Sequence, residues 1–285
     1  MSERLFEPFV DAIDGTACVS ASATLADIEA LCAPHRLRFP LILDAKATLR
    51  DHVEAATHAP ASHRFGPFCD NILGMNWRLP SGKVVRVGER VAKTTTGYDW
   101  LRFLLHTGTR FGEPLDYVIR LRPDCGFTMV AEFRGEALSQ VVHQLLHSGW
   151  MHWWDSVDYI CRDGTKHVRV VVHTPREEAP IFEAELRRIA SSTNTHVEVK
   201  HDAEAPRDGL PEATIKTTPD LVIKLAESFT GIGLCYCGVI HGNFDSTALT
   251  ASLSYELHSR HITARDPSPE ESSWLTTLEQ ALHER

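Results

Sequence analysis

The chain has 285 residues, of which 43% are hydrophobic and 24% are charged, and its formal net charge is −9. This length corresponds to one large domain or two ordinary ones, and the composition excludes a disordered, collagen-like or coiled-coil chain. Because an acidic surface repels phosphate backbones, we expect no nucleic-acid partner.

The seven cysteines lie at irregular spacing, which is typical of reduced thiols and not of a disulfide framework. The amino terminus has acidic residues and a proline where a secretory signal would have an apolar stretch. No apolar run approaches the roughly 20 residues that a membrane-spanning helix needs. We therefore expect a cytoplasmic protein without a membrane span.

The first 124 residues are predicted to form short strands and helices around one tight hairpin. Alternating apolar residues on both sides of the turn Pro80-Ser-Gly82 predict the hairpin. Thr24, with Asp27 three positions later, predicts a capping box at a helix start. The predicted strands cover 17–20, 74–79, 83–88 and 115–122, and the predicted helices cover 25–33, 45–59 and 98–105.

From residue 125 the predicted order is strand, helix, strand, strand, helix, strand, which matches the ferredoxin-like split βαβ. These strands cover 127–133, 157–161, 167–173 and 195–199, and the helices cover 136–147 and 177–190. After a linker over 202–211, we predict strands at 213–216 and 232–240 and helices at 219–228, 249–257 and 272–283. The chain is thus predicted to be α+β, with one domain over 1–124 and a second over 125–285.

The absence of several short motifs excludes the simplest enzyme classes. The sequence lacks the Rossmann, P-loop, H-E-x-x-H, C-x-x-C and G-x-S-x-G patterns. Cys235 and Cys237 would share one face of a strand and, with His241, could hold zinc. Packing of both thiols in a buried strand is the simpler interpretation, and we predict no metal site.

The segment from Asp70 to Pro123 contains the most informative pattern. It reads Asp-Asn-Ile-Leu-Gly74, then Leu79-Pro-Ser-Gly, Lys93 with Gly97-Tyr-Asp99, and Ile119-Arg-Leu-Arg-Pro123. This pattern resembles the FAD-binding domain shared by vanillyl-alcohol oxidase and p-cresol methylhydroxylase (PCMH-type). It is similar in particular to the smaller flavin-fold subunit of bacterial glycolate oxidases. The resemblance covers about 17–123, and its most specific part is 93–99.

The resemblance implies a truncated PCMH-type FAD-binding fold followed by a ferredoxin-like α+β domain. It also implies an oxidoreductase component that acts on a small molecule, a 2-hydroxy acid or an alcohol. The positions that match the family's cofactor-lining segments are Thr48, Arg64, Gly66, Asp70, Gly74 and Gly112. Substrate residues of the family often come from the second domain, where His152, His173 and Arg169 are candidates. No catalytic base is assigned.

Two departures from the family pattern predict weak FAD binding in the isolated chain, or none. The family's Pro-x-Gly-Gly-Gly-Thr loop has no counterpart, and Arg50-Asp51 replaces its second glycine pair. Side chains at such a turn keep a diphosphate away from backbone N–H groups, and Asp51 repels it, although Arg50 could pair with it.

Two hypotheses follow from the resemblance and its departures. In the first, the chain is an oxidoreductase subunit that binds FAD, and a partner flavoprotein or iron–sulfur subunit completes the site. In the second, it is a non-flavin scaffold subunit that binds a partner flavoprotein.

Overall fold

The computed structural model describes residues 7–41, 44–54, 61–66, 68–88, 99–105, 110–162, 164–203, 214–216, 219–225, 229–235 and 239–244. Two large antiparallel sheets and one small two-stranded sheet account for the described strands. None of the helices within these ranges is long and apolar enough to cross a membrane.

The first sheet is antiparallel and lies in the amino-terminal part of the chain. Its strands are β1 (Phe9–Asp11), β2 (Thr16–Ser20), β4 (Ile72–Arg78), β5 (Val84–Gly88) and β6 (Glu113–Arg120). They are arranged in the order β1-β2-β6-β4-β5. Two further short strands, β3 (Leu37–Arg38) and β7 (Arg122–Pro123), pair with each other beside this sheet.

Short helices pack with the first sheet around one hydrophobic core. They are α1 (Leu25–Cys32), α2 (Leu49–Glu54), α3 (Ser62–Phe65) and α4 (Trp100–Leu105). Trp77 and Tyr117, from adjacent strands, are fully buried in this core. The indole N–H of Trp77 donates to the carbonyl oxygen of Phe111 at 2.8 Å, so its polar atom is satisfied inside the core.

The second sheet has seven antiparallel strands. They are β8 (Thr128–Arg134), β9 (Ser156–Arg162), β10 (Thr165–His173), β11 (His196–His201), β12 (Thr214–Lys216), β13 (Phe229–Leu234) and β14 (Val239–Phe244). Their order is β11-β8-β10-β9-β13-β14-β12. The helices of this part are α5 (Leu138–His147), α6 (Ala179–Thr193) and α7 (Pro219–Lys224).

The order β11-β8-β10-β9, with α5 after β8 and α6 after β10, is that of a βαββαβ unit, and β13, β14 and β12 extend it beyond β9. Helices α5 and α6 cover the sheet face that includes Met129 and Phe133. Glu132, Arg169 and Asp158 are paired across three strands and therefore lie on the opposite face.

Most predicted elements are found where the sequence places them. The α+β class, the hairpin of β4 and β5, and the capping box of Thr24 and Asp27 are confirmed. The single strand predicted over 232–240 is wrong, because β13 ends at Leu234 and pairs with β14 in a hairpin. An uninterrupted apolar run does not reveal such a turn.

Other predictions are tested only in part. Thr48 and Asp51 start α2 later than the predicted start at residue 45. The predictions at 55–59, 93–98, 204–211, 249–257 and 272–283 lie outside the described residues. The boundary between domains at 124 and 125 stays a prediction.

Candidate functional site

Thr48, the first position matched to the cofactor segments, caps α2. Its N–H and its hydroxyl both donate to Asp51 Oδ2 at 2.8 Å, and the Asp51 N–H donates to Thr48 Oγ1 at 3.2 Å. Thr24 and Asp27 make the same contacts at the start of α1. These hydrogen bonds hold the pKa of Asp51 below its usual range. The carboxylate is therefore ionised and committed to the helix start.

The backbone N–H groups of this turn are already bonded within the chain. Those of Leu49, Arg50 and His52 donate to the carbonyl oxygens of Ala23, Ala21 and Thr48 at 2.9, 3.0 and 3.2 Å. With the two N–H groups bound inside the capping box, every N–H from 48 to 52 has an acceptor. A diphosphate is held by N–H groups that have no other acceptor, so this turn does not fit one.

The Arg50 side chain also has partners inside the chain. Its Nη2 donates to the carbonyl oxygen of Pro114 at 2.8 Å, and its Nη1 lies 3.4 Å from Glu113 Oε2. Glu113 also pairs with Arg78 at 2.9 Å. Arg50 thus points toward β6, and the guanidinium that could have paired with a phosphate is held by the sheet.

Gly112, another predicted cofactor position, lies at the same end of the first sheet as the Arg50 contacts. Its φ is +124°, and a Cβ there would lie 2.0 Å from the Arg78 carbonyl oxygen and 2.7 Å from Trp77 Nε1. Close backbone packing therefore explains the glycine at this position.

Three further predicted positions, Gly66, Asp70 and Gly74, lie near the opposite end of β4. Gly66 has a φ of +80° and would place a Cβ 3.6 Å from Asp70 Oδ2, and Asp70 accepts a hydrogen bond from Arg102 Nη2 at 2.8 Å. Gly74 is paired with Gly88 at the first residues of β4. Gly74 is separated from Arg78, against which Gly112 packs, by four residues or about 13 Å of strand, so these three positions and the Gly112 end form two groups and not one.

Arg64, the sixth predicted position, points to the junction between the two sheets. Its Nη1 lies 2.7 Å from Asp155 Oδ1, and Arg38 Nη2 lies 3.2 Å from Asp155 Oδ2. The Asp155 side chain is only 3% exposed. Arg38 and Arg64 belong to the amino-terminal half and Asp155 precedes β9, so this carboxylate links the two parts of the molecule.

Three guanidinium groups surround the ring of Phe65 at this junction. The Cζ atoms of Arg38, Arg64 and Arg122 lie 5.6, 5.2 and 5.7 Å from the ring centroid. Arg38 and Arg122 are direct partners in the β3–β7 pair. We call Arg38, Arg64, Arg122, Phe65 and Asp155 the junction cluster. The sequence did not predict it; the only signals were the alternating arginines in Arg36-Leu-Arg38 and Arg120-Leu-Arg122.

The three candidates in the second domain differ in burial and partners. Arg169 is buried and lies 3.2 Å from Asp158, itself buried, on the face of the second sheet opposite α5 and α6. His152 is exposed in a turn. His173 lies at the carboxyl end of β10, four positions after Arg169, which corresponds to about 13 Å along the strand. The structure therefore does not bring the two histidines and Arg169 to one point.

His173 lines a cleft of about 440 Å³ between the two halves, together with Arg38, Asp124 and Thr128. Its Nε2 accepts the Cys125 N–H at 3.0 Å, and its Nδ1 lies 2.9 Å from Thr128 Oγ1. Burial and, after it, the charge of Arg38 lower the pKa of His173, and they outweigh Asp124, whose Oδ1 lies 3.0 Å from Nε2. The neutral imidazole is therefore the favoured form.

The zinc alternative gains no geometric support. Cys235 is buried after the end of β13, with its S–H directed at the Gly233 carbonyl oxygen at 3.7 Å. Cys237 and the His241 side chain lie outside the described residues. In the part of the chain that the structure describes, no three potential metal ligands come together.

The family follows from a sequence match to the first sheet region. Residues 8–88, which include β1, β2, β4 and β5, match the family model described as FAD binding domain. The recognition made from the sequence is thereby confirmed at the level of the family, and FAD is the cofactor to which the match points.

The names of two related proteins agree with this match. Two proteins of Mycobacterium tuberculosis, from strains CDC 1551/Oshkosh and H37Rv, are both named uncharacterized FAD-linked oxidoreductase. Each is 25% identical over 144 residues, which cover 49% of this chain and 31% of the relative. The chain thus spans about a third of the length of these relatives.

The solved structures support the fold. An alkyldihydroxyacetonephosphate synthase superposes with a TM-score of 0.56 and 11% identity, over 70% of this chain and 45% of that chain. A chitooligosaccharide oxidase superposes with a TM-score of 0.55 and 15% identity, over 70% and 42%. The predicted PCMH-type fold is confirmed by this likeness together with the family match.

Proposed function

We propose that this chain is the flavin-fold component of an FAD-linked oxidoreductase that acts on a 2-hydroxy acid or an alcohol, as the smaller flavin-fold subunit of bacterial glycolate oxidases does. The observation on which this depends is the family match over 8–88, which covers four strands of the five-stranded sheet. The two relatives named as FAD-linked oxidoreductases support the reaction class. The substrate class rests on the resemblance and on the arginines at the junction between the sheets.

In this proposal, the donors for the FAD diphosphate come from outside the turn at 48–52. The hydrogen bonds of that turn to Ala21, Ala23 and Thr48 leave it no N–H group to offer. A partner flavoprotein or iron–sulfur subunit that contributes a glycine-rich loop would complete the site. Weak binding of FAD by the chain alone, and tight binding in the complex, are the expected behaviour.

The second candidate function is a scaffold subunit that binds no flavin and contacts a partner flavoprotein. The bonded N–H groups of the turn at 48–52 favour it, because they cannot donate to a phosphate at the position where the family binds one. The two functions differ in where the flavin is held within a complex.

The experiment is a flavin titration of the full chain, alone and with the partner that co-purifies with it. The visible flavin spectrum and the quenching of flavin fluorescence measure binding, and anaerobic addition of glycolate measures reduction. We expect little binding by the chain alone, and one flavin per chain that glycolate bleaches in the complex. Flavin held wholly by the isolated partner, with an unchanged spectrum when this chain is added, would establish the scaffold instead.

A variant of the turn separates side-chain obstruction from the lack of donors. Replacing Arg50 and Asp51 together by glycine restores the family's residue pair. If the N–H groups limit binding, this variant gains no FAD affinity, because the bonds to Ala21 and Ala23 persist. A large gain would show that the two side chains alone had blocked the diphosphate.

A further inference from the structure

The junction cluster contains more positive than negative charge. Three guanidinium groups lie around Phe65, and among the described residues the one carboxylate that pairs with them is Asp155, which gives the junction cluster a formal charge of +2. Asp155 contacts Arg38 and Arg64. Arg122 has no ion pair with any residue that the structure describes.

Two donors of the cluster have no acceptor. The Nε atoms of Arg38 and Arg122 are buried and lack a hydrogen-bond partner within the described part of the chain. A buried donor without an acceptor destabilises the fold by its lost hydration, and a bound oxyanion is a usual way of satisfying it. The side chains of Arg38 and Arg64 remain 20% and 27% exposed, so the cluster is open to a small solute.

The arrangement also brings like charges together. Arg38 and Arg122 are directly opposite each other in the β3–β7 pair, where two positive side chains repel. Burial, followed by the charges of Arg120 and Arg64, lowers the pKa of Arg122. An anion between these groups would remove the repulsion, and the planar guanidinium fork suits carboxylate and phosphate oxygens alike.

We propose that the junction cluster is a binding site for the carboxylate or phosphate group of a small molecule, with Arg38 and Arg122 as its principal ligands. The cleft of about 440 Å³ that Arg38 lines gives room for the rest of the molecule. Asp124 lines the same cleft, and its carboxylate can accept a hydrogen bond from a hydroxyl group. A short hydroxy acid therefore matches both the cationic and the accepting side of the cleft.

The site itself does not require FAD. Assigning its ligand as the substrate carboxylate does rest on the proposed function. The flavin titration and an anion titration can therefore fail separately: an anion site without flavin binding would leave the present inference standing and remove the proposed function.

The test measures the unfolding temperature of the full chain against the concentration of sodium lactate, sodium propionate, sodium phosphate or sodium chloride at equal ionic strength. A ligand that binds only the folded state raises this temperature as its concentration rises. We expect a saturable shift with lactate or phosphate that chloride does not give. A larger shift with lactate than with phosphate or propionate identifies a hydroxy acid, and a larger shift with phosphate identifies a phosphate ester.

Variants identify the site. Arg122→Gln is expected to weaken the apparent affinity about tenfold or more, because it removes a charged hydrogen-bonding group. Without added anion it is expected to be as stable as the unchanged chain or more so, since the repulsion from Arg120 and Arg64 is relieved. A purely structural Arg122 would instead give a less stable variant with an unchanged anion shift, and that result would overturn the proposal.

Arg176→Gln is the matched control. Arg176 also lies over a phenylalanine ring, at 4.7 Å from the Phe127 centroid, but its side chain is 69% exposed and paired with Asp202. It should leave the anion shift unchanged. If Arg122→Gln does not fold, Arg122→Lys takes its place, because lysine keeps the charge but lacks the planar guanidinium group. Calorimetric titration of the unchanged chain with lactate and with chloride then tests whether the site binds an oxyanion. Equal shifts of the unfolding temperature from chloride, lactate, propionate and phosphate would refute the site.

Discussion

The turn at 48–52 and the junction cluster are two places where an anion could approach this protein, and they differ in how their charges and donors are used. At the turn, every backbone N–H group from 48 to 52 donates to a carbonyl oxygen, to Asp51 or to the Thr48 hydroxyl. Arg50 binds Glu113 and Pro114 through its Nη atoms, and its buried Nε lacks a partner among the described residues. At the junction, one buried carboxylate pairs with two of three arginines, and the Nε atoms of Arg38 and Arg122 have no acceptor among the described residues.

The comparison shows that a position matched to a family's cofactor segment is not by itself a place for the cofactor. Such a position can bind the cofactor only if its hydrogen-bond donors have no other acceptors within the chain. Thr48, Gly66, Asp70, Gly74 and Gly112 all have packing or hydrogen-bond roles inside the first sheet region. Four experiments test the contrast between the turn at 48–52, whose backbone N–H groups are all bonded, and the junction cluster.

The largest effect is expected from Asp155→Asn at the junction. Removing one partner of a buried ion pair leaves its arginines uncompensated, so we expect a loss of about 3–5 kcal/mol in the free energy of unfolding, measured by denaturant titration. Glu113→Gln is the matched control, because Glu113 also lies between two arginines but is 38% exposed. Its loss should stay under about 1 kcal/mol. Equal losses would mean that the junction is no more buried than the sheet surface.

Gly112→Ala tests whether that glycine serves packing. A Cβ 2.0 Å from the Arg78 carbonyl oxygen and a φ of +124° predict a loss of about 3 kcal/mol, again by denaturant titration. Gly82→Ala is the control, since its φ is +82° and nothing lies within 4 Å, and it should lose about 1 kcal/mol. A stable Gly112→Ala variant that loses only flavin binding would assign the glycine to the cofactor.

Thr48→Ala is expected to lower the free energy of unfolding by about 1 kcal/mol through the lost capping box. Thr24→Ala removes the same hydrogen bonds at the start of α1 and should have an equal effect. Thermal unfolding of both variants, with and without FAD, compares them. A flavin-dependent difference between the two would contradict the structural role of Thr48.

The smallest effect concerns pH and His173. Its pKa is lowered by burial, so the unfolded chain binds more protons than the folded one, and stability falls as the pH drops below about 6.5. His52 and His167 shift in the same direction, so His173→Gln should reduce this slope without removing it. Unfolding free energies measured at several pH values give the slope. An unchanged slope would mean that His173 is not buried as a neutral imidazole.

Much of the local structure was predictable from short stretches of sequence. Thr24 with Asp27 defines a helix start, and the turn at Pro80-Ser-Gly82 defines a hairpin, because both depend on residues a few positions apart. The split of the apolar stretch 232–240 was not predictable, since β13 and β14 pair with each other only in the context of β9 and β12. Apolar character alone does not fix where such a run turns.

The α+β class, the helix cap at Thr24 and the match to an FAD binding domain could all be predicted from the amino-acid sequence, because each depends on neighbouring residues or on a pattern within one short segment. The tertiary packing determines which hydrogen-bond donors have no acceptor within the chain and remain available to a ligand. Arg38 and Asp155 are separated by 117 positions, and Arg50 and Pro114 by 64. Contacts between residues so far apart in the sequence arise from the packing of sheets and helices, and the spacing of residues within a short segment does not predict them.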